Sequence, residues 1–259
     1  MTVYGQLYLR NLRQMPRIPA VLVFGIAMPI IQLLLFGSVF SNTVDIPGHP
    51  LFGTDISYYT FIAPAIILLT AVIGMANSSA AFIVDLRTGY FDKLRTTPAS
   101  PSAVIFARLM AETTRVFLQG LMILLLAIAI GGLPETGLVG GLVILLGAVM
   151  FGTLTTGMAV MILAMKTRSD QATQAMFPLF FLLLFISTAF MPANLLPGWL
   201  ETAAKFNPVD YMIQGMRGLM IDGWSDALVN MGLGLAMAAG IGMVLIAVNM
   251  RVYRRTILG

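Results

Sequence analysis

With 259 residues, 58% of them hydrophobic and 10% charged, and a mean hydropathy of +0.91, the chain is far too apolar for a soluble domain, in which about 25% of residues are charged. The absence of cysteine removes disulfides, thiolate metal sites and cysteine nucleophiles together, and a single histidine, His49, removes histidine-rich metal sites. A net charge of +4 would suit nucleic acid, but the basic residues lie beside apolar segments rather than in one patch, so orientation in a membrane explains them and no nucleic-acid partner is expected.

Residues 1–19 have a basic start but no uninterrupted apolar core and no small-residue cleavage site, which argues against a secretory signal. Tyr4, Leu7, Tyr8, Leu12 and Met15 fall on one helical face, with Gln6, Arg10, Arg13, Gln14 and Arg17 on the other. That pattern predicts an amphipathic helix lying in the membrane interface, its arginines toward anionic headgroups.

A membrane-crossing helix needs about 20 apolar residues. Six segments qualify, near 20–40, 57–83, 104–130, 138–164, 172–191 and 227–249, so the fold class is an all-α polytopic membrane protein forming one transmembrane domain over 1–259. Thirteen of the fifteen Lys and Arg residues fall in the N-terminal tail, the loop between the second and third spans with the start of the third, the turn after the fourth, and the C-terminus; Lys205 and Arg217 remain for the other side. Both termini are therefore expected in the cytoplasm.

The loop 85–101 is the long charged interior run. Tyr90, Phe91 and Leu94 share a helical face while Asp92, Lys93 and Arg95 project elsewhere, so a short helix here would carry an apolar knob ringed by charge and suited to a groove on a soluble partner. Gly89 permits a sharp entry, and Pro98 and Pro101 break the chain. A plain solvated loop is the competing reading. Ser100 and Pro101 supply a cap and first turn for the third span. Within that span Arg108, Glu112 and Arg115 stack at helical spacing, so that one acid is neutralised between two bases.

Small residues line the fourth span (Ala148, Gly152, Thr156) and the sixth (Gly232, Ala236, Gly240), and are assigned mainly to packing inside the bundle. The phenylalanines of the fifth span (Phe177, Phe180, Phe181, Phe185, Phe190) are likewise read as packing. Between the fifth and sixth spans, residues 192–226 hold two apolar pieces too short to cross, near 195–206 and 209–221. They read as a re-entrant or interfacial hairpin, with Trp199, Tyr211 and Trp224 at headgroup level and Lys205 and Arg217 near the outer surface.

No Gly-x-x-x-x-Gly-Lys-Ser/Thr loop is present; Gly152 to Met158 lacks the lysine and lies mid-span, so the chain does not split ATP through a P-loop. There is no plausible Ser/His/Asp set, and apart from Glu112 no acid lies well inside a predicted span. Energy supplied by a partner is the reading that remains. An ion-coupled secondary transporter is the alternative, but it would be expected to show paired interrupted helices and intramembrane ions.

The six spans, the interfacial helix, the loop Gly89-Tyr-Phe-Asp-Lys-Leu-Arg-Thr-Thr-Pro98 and the outer segment Phe206-Asn-Pro-Val-Asp-Tyr-Met-Ile-Gln-Gly-Met-Arg217 together resemble the ABC transporter type-2 export permeases, nearest the daunorubicin-resistance and nodulation-factor branch. Arg17-Ile-Pro19 and Pro29 through Phe36-Gly37 are similar to that family's first span. The resemblance implies two six-span subunits, identical copies or paralogues, above two cytosolic ABC ATPase subunits that hold the ATP and Mg, in a bacterial or archaeal inner membrane. It implies that Asp85, Arg87, Gly89, Tyr90, Phe91, Asp92, Lys93, Leu94, Arg95 and Pro98 form the coupling helix on the ATPase, assisted by the helix of Arg10, Arg13 and Arg17. Trp199, Asn207, Pro208, Tyr211 and Arg217 would belong to an external gate. The cargo expected is a hydrophobic or amphiphilic drug, lipid or glycolipid.

Overall fold

The structure, a computed structural model, describes residues 3–14, 19–44, 57–90, 100–191, 193 and 196–255. Among these, every regular element is helical. The helices are α1 Val3–Gln14, α2 Pro19–Val44, α3 Tyr58–Ala76, α4 Ser79–Arg87, α5 Pro101–Ala129, α6 Gly137–Gly152, α7 Met158–Thr167, α8 Asp170–Gln174, α9 Phe177–Phe185, α10 Gly198–Ala204, α11 Pro208–Ile221 and α12 Ala227–Tyr253. A π-helical turn, Thr153–Gly157, joins α6 to α7 in one helix of 31 residues.

Five helices are long and apolar enough to cross a bilayer, and with backbone donors and acceptors satisfied internally a helix is what hydrocarbon demands. α3 is the bundle's centre: 78% of its apolar stretch is buried, against 17% for α2 and 22% for α12. The core is therefore the α3 row from Phe61 to Met75, packed by Val116 and Ile123 of α5 and by Leu145 and Ala148 of α6. α2 and α12 leave broad outer faces, Val23, Phe24, Ile31 and Leu35 on one and Val229, Leu233, Met243 and Val244 on the other. Such faces are at home against lipid or another membrane subunit.

Close packing uses glycine where backbones meet. A Cβ on Gly152 would lie 2.9 Å from the Ala71 carbonyl oxygen, so α3 meets the π-turn at that point. Gly215 lets α11 run against α12, because a Cβ there would come 2.4 Å from the Met231 nitrogen. The sixth-span stripe behaves otherwise: Cβ atoms on Gly232 and Gly240 would meet nothing within 4 Å, whereas Gly234 and Gly242 face Met212 and Leu154. The expected packing stripe thus points out of the bundle, and the residues two positions along make the internal contact.

The fifth span also departs from expectation. In place of one helix over 172–191 there are the short α8, a turn at Ala175 and Met176, the nine-residue α9, and turns and bends from Ile186 to Met191. Pro178 occupies the start of α9, where a missing N–H costs nothing. The second span likewise ends at Ala76, and the chain turns before α4.

Candidate coupling site

At the arginine-rich end of the bundle, α1, α3, α4 and α5 meet around buried charge. Arg10 of α1 grips Asp85 of α4 with both arms, Nη2 donating to Oδ1 at 2.8 Å and Nη1 to Oδ2 at 3.1 Å. A forked guanidinium–carboxylate pair fixes orientation as well as distance. Arg108 of α5 stands 3.8 Å from the same Asp85 and donates to Glu112 Oε1 at 3.2 Å. Arg115 Nε donates to Glu112 Oε2 at 2.8 Å, its Nη2 to the Gly74 carbonyl at 2.8 Å, and its Nη1 to Gln119 at 3.3 Å. Asp85, Arg108, Glu112 and Arg115 are all buried. Each therefore depends on its partners, because an unpaired ion in such a place costs several kcal/mol, on the order of 3–5 when a partner is removed.

The cluster sits where the charged loop begins. The guanidinium carbon of Arg10 lies 3.5 Å from the centroid of the Tyr90 ring, a cation–π geometry. Burial pushes the Tyr90 phenol above its ordinary value, with Arg10 pulling it back. Gly89 adopts φ 68, a left-handed conformation open to glycine at no steric cost. Arg87 is exposed and donates to the Arg168 carbonyl at 3.2 Å. α1 is further tied to α5 by Tyr8 and Thr114, whose hydroxyls lie 2.9 Å apart.

Of the coupling residues read from sequence, Asp85, Arg87, Gly89 and Tyr90 are thus assembled at one junction, with Arg10 beside them. Asp85 is turned inward, where it joins two helices. Arg13 is exposed on α1. Phe91, Asp92, Lys93, Leu94, Arg95, Pro98 and Arg17 lie outside the described residues. Asn11, which reaches Arg108 at 3.5 Å, and Gln119 were not singled out. Gln119 was legible in principle, being four residues beyond Arg115 on a ladder already visible.

At the opposite end, the Asn207 to Arg217 segment braces the bend that follows α9. Asn207 caps α11 through Oδ1, which accepts from Val209 N at 3.0 Å, while its Nδ2 donates to the carbonyls of Leu183 and Ile186. Asp210 accepts from Thr188 N at 2.6 Å and Thr188 Oγ1 at 2.7 Å, and Gln214 donates to its other oxygen. Arg217 donates to the carbonyls of Thr188 at 2.9 Å and Ala189 at 3.2 Å, reaches Phe61 O at 3.3 Å, and stacks 3.6 Å from the Phe61 ring centroid. Tyr58 donates to the Phe190 carbonyl at 3.1 Å. Arg217 is therefore turned into the bundle and not set at the outer surface. Trp199 and Phe206 are exposed, Lys205 pairs with Glu201 at 3.0 Å in the open, Pro208 starts α11, and the Tyr211 hydroxyl donates to Lys205 O.

These two polar junctions join the ends of an otherwise apolar bundle, and comparison with known proteins supplies the context. The sequence profile described as "ABC-2 type transporter" matches residues 2–221. The "Putative transport permease ycf38" of Porphyra purpurea is 30% identical over 79% of this chain and 69% of its own length. The "Daunorubicin resistance ABC transporter permease protein DrrB1" of Streptomyces coeruleorubidus is 23% identical over 91% of this chain and 80% of its own. The "Probable doxorubicin resistance ABC transporter permease protein DrrC" of Mycobacterium tuberculosis is 26% identical over 77% and 70%. The chain belongs to the ABC-2 type transporter family, whose members are multi-pass membrane subunits that work with a separate ATPase and are not themselves enzymes.

Proposed function

We propose that this permease exports a hydrophobic or amphiphilic molecule, of the drug, lipid or glycolipid kind, from the cytoplasm, and that the Arg10–Asp85 junction carries the ATPase's motion into the bundle. The observation on which this rests is the forked pair itself, which binds α1 to α4 beside a charged loop and continues through Arg108 into α5. In this reading Asp85 transmits force while the loop residues 91–98 make the docking surface on the ATPase. The full arrangement has six crossings, with α8 and α9 forming the fifth, α1 in the cytoplasmic interface, both termini cytoplasmic, and a second permease copy or paralogue beside the first. ATP and Mg are held by the ATPase, and closure of the ATPase pair supplies the differential binding energy that a conformational change requires. The drug-resistance names of two relatives favour an apolar cargo. The ion-coupled alternative has less support, because Glu112, the acid buried within a span, has both oxygens engaged by arginines.

The reading is tested on the permease reconstituted with its ATPase. Phe91→Asp and Leu94→Asp should each abolish substrate-stimulated ATP turnover while membrane insertion is normal. Wild-type stimulation in both would remove the docking role of the loop.

A further inference from the structure

The charge in the arginine-rich junction does not balance. Among the described residues, three guanidiniums, Arg10, Arg108 and Arg115, meet two carboxylates, Asp85 and Glu112. Asp85 gives both oxygens to Arg10, and Glu112 divides its two between Arg108 and Arg115. Arg108 is left least provided for. Its side chain is only 6% exposed, its Nη atoms are shared among Asn11, Ser78 O and Glu112 at 3.2–3.5 Å, and its Nε is buried with no hydrogen-bond partner among the described residues. A buried guanidinium N–H without an acceptor is costly, and one excess positive charge in a buried site calls for a counter-anion.

Arg108 lines a small cleft between α1, α4 and the start of α5, open on one side and with room inside for about one oxygen-sized group. Arg10, Asn11 and Arg108 form its polar wall; Leu7, Phe82 and Val104 form an apolar one. Asp85 also borders it, but is already committed to Arg10. A pocket with one cationic and one hydrocarbon wall matches a molecule with an anionic head joined to an apolar body. The surroundings match as well: Val3 and Tyr4 on α1 are exposed apolar residues, and Arg13, Arg87, Arg254 and Arg255 are exposed on the described basic end. Such a surface lies at headgroup level and enriches anionic lipid around it.

We propose that this cleft binds the phosphate of an anionic membrane phospholipid. One phosphate oxygen enters the cleft and accepts from Arg108 Nε beside the Arg10 guanidinium, and the glycerol edge of the lipid stays at the mouth against Leu7 and the exposed Val3 and Tyr4 of α1. The bound lipid balances the junction and holds α1 against the bundle. The site depends on this face lying at a bilayer surface, and not on which cargo is carried.

The test uses the full chain in nanodiscs of neutral phosphatidylcholine, with and without phosphatidylglycerol. Anionic discs should raise the wild-type melting temperature by about 4 °C, as binding to the folded state requires, and native mass spectrometry should show phosphatidylglycerol retained after delipidation. Leu7→Trp, which fills the cleft and keeps every arginine, should lose both signals, as should Arg108→Lys, which keeps the charge and removes the unpaired N–H. Each is compared with its own melting in neutral discs, and Leu7→Trp decides the matter if Arg108→Lys does not fold. Arg13→Gln, on the same helix outside the cleft, should retain the increment. Full increments in both cleft variants would reduce the effect to general surface attraction and overturn the site. Inorganic phosphate reproducing the shift in neutral discs would overturn the lipid as its source, and stabilisation only on adding the ATPase would assign the missing anion to a protein carboxylate.

Discussion

The two ends of the bundle solve the problem of buried polarity in opposite ways. At the arginine-rich end, charged side chains chiefly answer one another: Arg10, Asp85, Arg108, Glu112 and Arg115 come from three helices, with the Gly74 and Ser78 carbonyls as auxiliary acceptors. At the other end, Asn207, Asp210 and Arg217 answer backbone, supplying the partners that α9 lost when it stopped at Phe185. The first arrangement joins rigid pieces and suits transmission. The second substitutes for missing helical turns, and so permits an irregular stretch of chain whose peptide groups are met by side chains and not by water.

That contrast can be broken most forcefully at Glu112. Glu112→Ala strands two buried guanidiniums and should cost about 3–5 kcal/mol, seen as a collapse of folded yield and melting temperature. A variant melting within error of wild type would show that the cluster is not needed for the fold. Asp210→Ala should cost less, about 1–3 kcal/mol, because Thr188 loses an acceptor while Arg217 loses a nearby carboxylate with which it makes no direct ion pair. Its sharper readout is local. The chain has no cysteine, so Ser187→Cys is a unique reporter, and its labelling by a membrane-impermeant thiol reagent should rise when Asp210→Ala is added. Unchanged labelling would mean that the Ile186 to Met191 bend holds itself.

Arg10→Lys separates the two kinds of junction most cleanly. The Arg10 side chain is 31% exposed, so stability should fall by about 1 kcal/mol or less, yet the fork is lost and ATP turnover should lose its response to cargo. Retained coupling would move the transmission path away from α1. Smallest of all, Lys205→Ala breaks an exposed pair and should change stability by less than about 1 kcal/mol. A larger loss would show that α10 is held by more than its visible contacts.

Much of this was legible in the sequence where periodicity carries the information. The long apolar runs gave α2, α3, α5, the α6–α7 helix and α12, and the Arg108, Glu112, Arg115 spacing exposed the ionic ladder before any partner was known. What pattern could not supply was pairing across the chain. Nothing local says that Asp85 belongs to Arg10, 75 residues earlier, or that Arg217 faces inward to carbonyls of Thr188 and Ala189. The fifth span misled for a physical reason: from Phe177 to Met191 only Ser187 and Thr188 interrupt the apolar run, so composition reads it as one crossing, while the end of α9 is fixed by donors and acceptors that lie more than twenty residues downstream. The glycine stripe of α12 failed similarly, since a small residue permits close approach without saying which side the neighbour is on.

The break after α9 has a consequence for how the protein is made. The carbonyls of Leu183 and Ile186 find the Asn207 amide 24 and 21 residues later, and those of Thr188 and Ala189 wait for Arg217, 29 and 28 residues on. Open peptide groups are costly away from water, so the α8–α9 segment and the bend after it are unfinished when they first leave the ribosome. They mature as a unit with α10 and α11, which makes the last third of the chain a single cargo for the insertion machinery and a vulnerable target for membrane proteases until that clamp has closed.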